Sequence, residues 1–156
     1  MELPLQEIIL RLGSAAVLTG LIGIEREVRQ KPAGVRTNAL IGLGAAAMTL
    51  CGLQLASAMA GGATPDRIAS IVVQGVGFIG AGVIIQSSGA VHGLTTAATM
   101  WVVAGIGIAA GFGFYDIAIV TSVIVFILLA IFGPLDARLM GREPENGTGR
   151  KFGEKK

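Results

Sequence analysis

Apolar residues fill this chain in blocks of helix length, and the charged residues gather between the blocks, near their ends and at the two ends of the chain. The longest uncharged stretch, residues 68–115, holds 48 positions without Lys, Arg, Asp or Glu. A helix rises about 1.5 Å per residue, and about 20 apolar residues cross the hydrocarbon core of a bilayer. That stretch alone suffices for two crossings and a turn. The whole pattern predicts five apolar helices, at about residues 5–24, 37–60, 66–86, 94–113 and 116–135. Breakers separate them at residues 31–34, 61–65, 87–89 and 113. Nowhere does the chain alternate as a barrel strand does. Lipid-exposed open sheet would leave backbone groups unpaired, so the expected fold is an all-α membrane bundle of about five transmembrane helices.

Basic residues set the expected orientation. Residues 25–36 and the tail after Leu135 carry ten of the twelve Lys and Arg, and five crossings place both regions on one side. The positive-inside rule then puts the N-terminus outside and the C-terminus in the cytoplasm. Residues 1–140 form the transmembrane domain in this reading. Residues 141–156, rich in charge, Pro and Gly without periodicity, are expected to form a disordered basic cytoplasmic tail.

Composition sharpens the picture. The chain is 53% hydrophobic and only 14% charged, and it holds 24 Gly, far above the usual share of about 7%. Most of the glycines lie inside the apolar blocks, where small residues let helix backbones approach closely. Gly77, Gly80 and Gly82 in the third block and Gly105, Gly107 and Gly111 in the fourth are the expected packing positions. The fifth block has no glycine from Ile117 to Phe132 and is expected to face lipid. Small-residue faces of this kind also suit a homo-oligomer.

Enzymatic chemistry finds no foothold. Gly75-x-Gly77-x-x-Gly80 has the letters of a dinucleotide-binding turn, but it sits in a membrane run with no acid before Asp116. One His and one Cys offer no metal cluster and no catalytic triad. No cofactor or metal site is expected, and a net charge of +2 gives no reason to invoke nucleic acid.

Two polar clusters remain. The first, residues 23–37, crowds Glu25, Arg26, Glu27, Arg29, Lys31 and Arg36 into a short connection that ends at Thr37. Lys and Arg there can serve purely as topological anchors. Glu25 fits that role poorly, because acids contribute little to orientation and this one abuts an apolar helix. It should seek a partner in Arg29 at i+4, or in Arg36 or Thr37 across the turn. The second cluster, Thr95, Thr96 and Thr99, opens the fourth helix on the same side. Its threonines either cap that helix and bond to neighbouring helices or, with the basic connection, build a polar site. Glu25, Arg26, Lys31, Arg36, Thr37, Thr95, Thr96 and Thr99 are the candidate functional residues, with Asp66 and Arg67 as a pair at the outer edge.

These residues carry a resemblance. Gly23-x-Glu25-Arg26 with Lys31-Pro32-Ala33-Gly34-x-Arg36-Thr37, the run from Gly75 to Gly82, and Gly93-Leu94-Thr95-Thr96-Ala97-Ala98-Thr99-Met100-Trp101 resemble the MgtC/SapB family, over about residues 18–114. The resemblance implies a multi-pass protein of the bacterial cytoplasmic (inner) membrane, associated with growth at low magnesium, acid tolerance and intracellular survival. It further implies a regulator, with the proton-driven ATP synthase as a partner. The family's acid three residues before the match to Arg67 falls on Thr64, and here the acid is Asp66. Two functions are therefore carried forward: a non-enzymatic regulator acting through membrane-protein contacts, and a transporter or channel for magnesium or another small ion. Against the second, Glu7, Glu25, Asp66 and Asp116 all lie toward helix ends rather than at mid-depth.

Overall fold

The computed structural model describes residues 3–58, 65–87 and 90–139, with side chains at all of these except 65, 66, 87 and 133–139. It contains five helices, α1 (Leu5–Val28), α2 (Val35–Ala58), α3 (Pro65–Val83), α4 (Leu94–Phe112) and α5 (Tyr115–Leu139). Two short strands, β1 (Ile85–Ser87) and β2 (Ala90–His92), lie between α3 and α4. The all-α bundle expected from the apolar blocks is present. Helices α1, α2, α4 and the Tyr115–Phe132 part of α5 are each long and apolar enough to cross a membrane, and α3 is a shorter apolar helix. The tail assigned to residues 141–156 lies outside the described residues.

Three boundaries differ from the sequence reading. Helix α1 continues four residues past position 24, so Glu25 and Arg26 sit on its last turn rather than in a loop. Helix α3 stops at Val83, and the next residues pair antiparallel, Ile85 with His92, Gln86 with Val91 and Ser87 with Ala90. The ladder pairs the backbone groups of Ile85–Ser87 with those of Ala90–His92, which no helix serves. Helix α5 runs on through Pro134 to Leu139.

The core is built around α4, which touches all four other helices. One apolar cluster joins Ala15 and Ile22 of α1, Ala46 of α2, Val103, Ile106, Ala109 and Ala110 of α4, and Ala118 of α5. Small side chains make that centrality possible. A methyl group placed on Gly107 would lie 2.9 Å from the Ala45 Cβ and collide with the Gly42 carbonyl. On Gly111 it would lie 2.8 Å from the Thr49 Cβ and 2.9 Å from the Ala46 carbonyl oxygen. Helices α2 and α4 therefore meet backbone to backbone. Among the other expected packing positions, Gly80 faces Ala97 at ordinary contact distance. Gly77, Gly82 and Gly105 point into open space and pack against nothing among the described residues. Helix α5 is peripheral: among its residues with described side chains only Ala118 and Ser122 are buried, while Ile119, Val120, Val123, Ile124, Ile127 and Leu128 are exposed.

Three buried hydroxyls are handled inside their own helices. Thr19, Thr49 and Ser122 each donate to the carbonyl four residues back, at 2.7, 2.8 and 2.7 Å. In an apolar interior this local bond removes the cost of an unpaired hydroxyl without recruiting a partner from another helix.

The glycine geometry generates a prediction. Gly107→Leu and Gly111→Leu should each abolish a monodisperse folded peak in detergent, because the side chain would have to displace α2 backbone. Gly105→Leu, two residues away on the open side, should elute like the parent in the same size-exclusion measurement. Equal behaviour of all three would mean that α2 and α4 are not in backbone contact.

Candidate functional site

The polar cluster assembles where α1 ends, α2 and α4 begin, and α5 passes. Helix α1 terminates in a two-bond cap: Lys31 N–H donates to the Arg26 carbonyl at 2.9 Å and Gln30 N–H to the Glu27 carbonyl at 3.0 Å. Gln30 adopts φ +53°, the left-handed turn that such a cap requires. The chain then folds back so closely that a methyl group on Gly23 would lie 2.6 Å from the Val35 Cα. The Glu27 carboxylate accepts the Val35 N–H at 3.1 Å, which places a negative charge on the free amides at the start of α2.

Four charged or polar side chains fill the space this return encloses. Arg26 is only 5% exposed, and its Nη2 donates to Thr96 Oγ1 in the first turn of α4 at 3.1 Å. Glu25 is 7% exposed and pairs with Arg29 one turn later in the same helix. Both Glu25 oxygens lack an aligned hydrogen-bond donor, so charge alone holds that contact. Arg29 reaches further and donates Nη2 to the Ala130 carbonyl of α5 at 2.9 Å. That carbonyl would ordinarily bond to the N–H of residue 134, and Pro134 has none. Arg29 thus supplies the donor that the proline withholds. Asn38 is fully buried, with Nδ2 donating to the Ala33 and Gly34 carbonyls and Oδ1 accepting no bond. The network ties α1 to α4 and α5, and seats the start of α2 against the turn before it.

Of the eight candidate residues, the structure buries Glu25, Arg26, Thr96 and Thr99. Lys31, Arg36, Thr37 and Thr95 are exposed and outside the buried network. The reason is helical phase: Thr37 and Thr95 each sit one residue from an inward position, and Asn38 and Thr96 occupy those. Thr99 is inward, but its hydroxyl bonds to the Thr95 carbonyl at 2.8 Å and not to a basic side chain. Of the partners considered for Glu25, the structure selects Arg29. Arg67 is exposed, and the Asp66 side chain lies outside the described residues. Sequence reasoning left Arg29 and Asn38 out of the candidate set and gave Glu27 no task. The i+4 spacing of Glu25 and Arg29 and the lone Asn inside an apolar block were the available signals.

A second network lies at the opposite end of the bundle. Arg11 Nε meets Glu7 Oε1 at 2.8 Å, and Nη1 donates to the Gly111 carbonyl in the last turn of α4 at 3.0 Å. Tyr115 donates its hydroxyl to the same Glu7 oxygen at 3.1 Å. Gly113 stands beneath the guanidinium with φ +84°, where a methyl group would lie 2.9 Å from Arg11 Nη2. Beside it opens a hollow of about 270 Å³ lined by Leu3, Arg11, Leu53, Gln54 and Phe112. Among the described residues, no three His, Cys, Asp or Glu gather as a metal site would require.

The chain has clear relatives. The family model described as the MgtC family matches residues 12–138. The chain is 44% identical over 140 residues to the "Putative magnesium transporter YhiD" of Escherichia coli K12, covering 87% of this chain and 65% of the relative. It is 39% identical over 132 residues to "Protein MgtC" of Brucella abortus, covering 85% and 54% of the two chains. To "Protein MgtC" of Salmonella typhimurium it is 45% identical over 117 residues, covering 75% and 48%. The chain thus spans between 48 and 65% of the length of these relatives. No solved structure gives a significant match.

The geometry reassigns Arg29 from anchor to partner, and that is testable. Glu25→Gln and Arg29→Gln should each destabilise the protein by about 2–3 kcal/mol. This is below the roughly 3–5 kcal/mol of a fully buried pair, because Arg29 remains a third exposed. The double variant should lose less than the sum of the two, with a coupling of about 1 kcal/mol or more in a double-mutant cycle of thermal unfolding in detergent. Strict additivity would mean that the two side chains do not interact.

Proposed function

The chain belongs to the MgtC family, and on that premise we propose that it is a non-enzymatic regulator in the bacterial inner membrane. It acts through contacts with other membrane proteins, the ATP synthase among them, when magnesium is scarce or the medium acid. It does not itself carry magnesium in this reading. The chain crosses the membrane five times, with the N-terminus outside and the cluster around Glu25 at the cytoplasmic end.

One observation carries the choice: the carboxylate buried at that end, Glu25, is already engaged by Arg29 and stands beside Arg26. One acid and two guanidinium groups leave a net positive charge. Magnesium is ordinarily held by carboxylates together with retained waters, and a dication entering here would meet repulsion first. The same bonds that engage Glu25 and Arg26 fasten α1 to α4 and α5. Such a clamp suits a surface that must keep its shape for a partner. The second reading, a magnesium transporter, is favoured by the name of the Escherichia coli relative.

Two experiments test these statements. The full chain, purified and placed in liposomes enclosing a magnesium indicator, should admit the ion no faster than empty vesicles do. The same protein should restore growth at low magnesium to a strain lacking its own copy. Saturable magnesium entry would overturn the regulatory reading. For orientation, Gly147→Cys on a Cys51→Ser background should resist an impermeant thiol reagent in intact cells and react after lysis. Labelling before lysis would invert the topology.

A further inference from the structure

Helix α3 stands at the edge of the bundle, packed chiefly against α4 and α2. Its inner face is apolar. Val72 and Val76 pack on Ala45, Met100 and Ala104, near the middle of α2 and α4. That packing fixes the depth of everything between the two valines. Gln74 lies there, half-way along α3, on the opposite face and exposed. Its amide bonds to none of the described residues. In water such a side chain would be unremarked. At the level of the bundle's middle its surroundings are hydrocarbon, which offers an amide neither donor nor acceptor.

The residues around Gln74 say what could supply the missing bonds. Ser70, Gln74, Gly77 and Ala81 are all exposed and follow one another at spacings of four, three and four. This is the seam repeat of two helices in left-handed contact, in which a single polar position fixes register. Gly77 has open space where a side chain would stand, so a neighbouring backbone can come close. Phe78, 84% exposed, flanks the seam.

We propose that this face of α3 is where a second copy of the chain packs, with the Gln74 amides of the two copies bonded to each other across a two-fold axis normal to the membrane. The choice of a second copy follows from geometry and chemistry together. Copies inserted with the same topology are parallel, so a two-fold axis sets each residue opposite itself at equal depth. An amide is both donor and acceptor and is therefore its own complement, which a side chain that only donates or only accepts is not. The proposal concerns assembly alone and holds whether the protein regulates or transports.

The test uses the full chain in native membranes on a Cys51→Ser background. Gly77→Cys and Ala81→Cys, which leave Gln74 in place, should each form a disulfide-linked dimer under mild oxidation. Val76→Cys, on the inner face, and Val123→Cys, on α5, should not. Adding Gln74→Leu to Gly77→Cys should weaken association about tenfold, the change expected for loss of an interhelical polar bond in lipid. Gln74→Asn should retain part of it. Unchanged thermal unfolding of Gln74→Leu below the dimer's concentration range would show that the fold itself is intact. Cross-linking no greater at Gly77 and Ala81 than at Val123 would overturn the proposal. So would capture of a different polypeptide at Gly77 in place of the dimer.

Discussion

Hydrocarbon offers no hydrogen bonds, and this absence governs where every polar group in the chain can sit. Backbone groups satisfy themselves by coiling into helices over nearly the whole described length. Buried hydroxyls at positions 19, 49, 99 and 122 turn back on their own helices. Charges that enter the bundle do so at its two ends, and each finds a partner there. Arg11 takes Glu7 and a carbonyl at the end of α4. Arg26 takes a threonine hydroxyl, and Arg29 takes Glu25 and a carbonyl that a proline has freed. The arginines of α1 thus satisfy polar groups that the helices around them would otherwise leave bare.

Close packing and the polar ends depend on each other. Arg26 can reach Thr96 because α1, α2 and α4 come close enough to share one polar pocket. That closeness comes from Gly42 facing Thr19 on one side and Gly107 and Gly111 facing α2 on the other. A larger residue at these contacts would force the helices apart and carry the partners of Arg26 out of reach. Packing energy in lipid is modest, since apolar side chains gain little by leaving hydrocarbon for a protein core. Ion pairs and charge-assisted bonds at the ends therefore weigh more in holding α1 to α4 and α5 than they would in a soluble domain.

Much of this was legible in the sequence, and the remainder failed for identifiable reasons. The five helices followed from blocks of apolar residues, a signal that depends only on local composition. For Glu25, spacing offered Arg29 beside Arg36 and Thr37, and the structure selects Arg29. Which glycines pack could not be read, because in an apolar helix both faces look alike: Gly105 and Gly107 are two residues apart, yet one meets open space and the other α2. Helical phase likewise hid the substitution of Asn38 for Thr37. The network at the opposite end joins Glu7 and Tyr115 across 108 positions, and no local pattern announces it. Pro134 was visible, but its meaning lay in a carbonyl four residues earlier that only an arginine on another helix could reach.

The two end networks differ in what they leave unfinished. At the Glu7–Arg11 end, the carboxylate receives bonds from both a guanidinium and a phenol, and the guanidinium also caps α4. At the Glu25 end, both carboxylate oxygens, Arg26 Nε and Asn38 Oδ1 are buried without a hydrogen-bond partner. A buried polar group in that condition is costly, and the ion pair of Glu25 with Arg29 offsets part of that cost. The two ends thus hold the bundle in different ways: hydrogen bonds complete the Glu7–Arg11 network, while at the other end the Glu25–Arg29 ion pair and the bonds of Arg26 and Arg29 join α1 to α4 and α5.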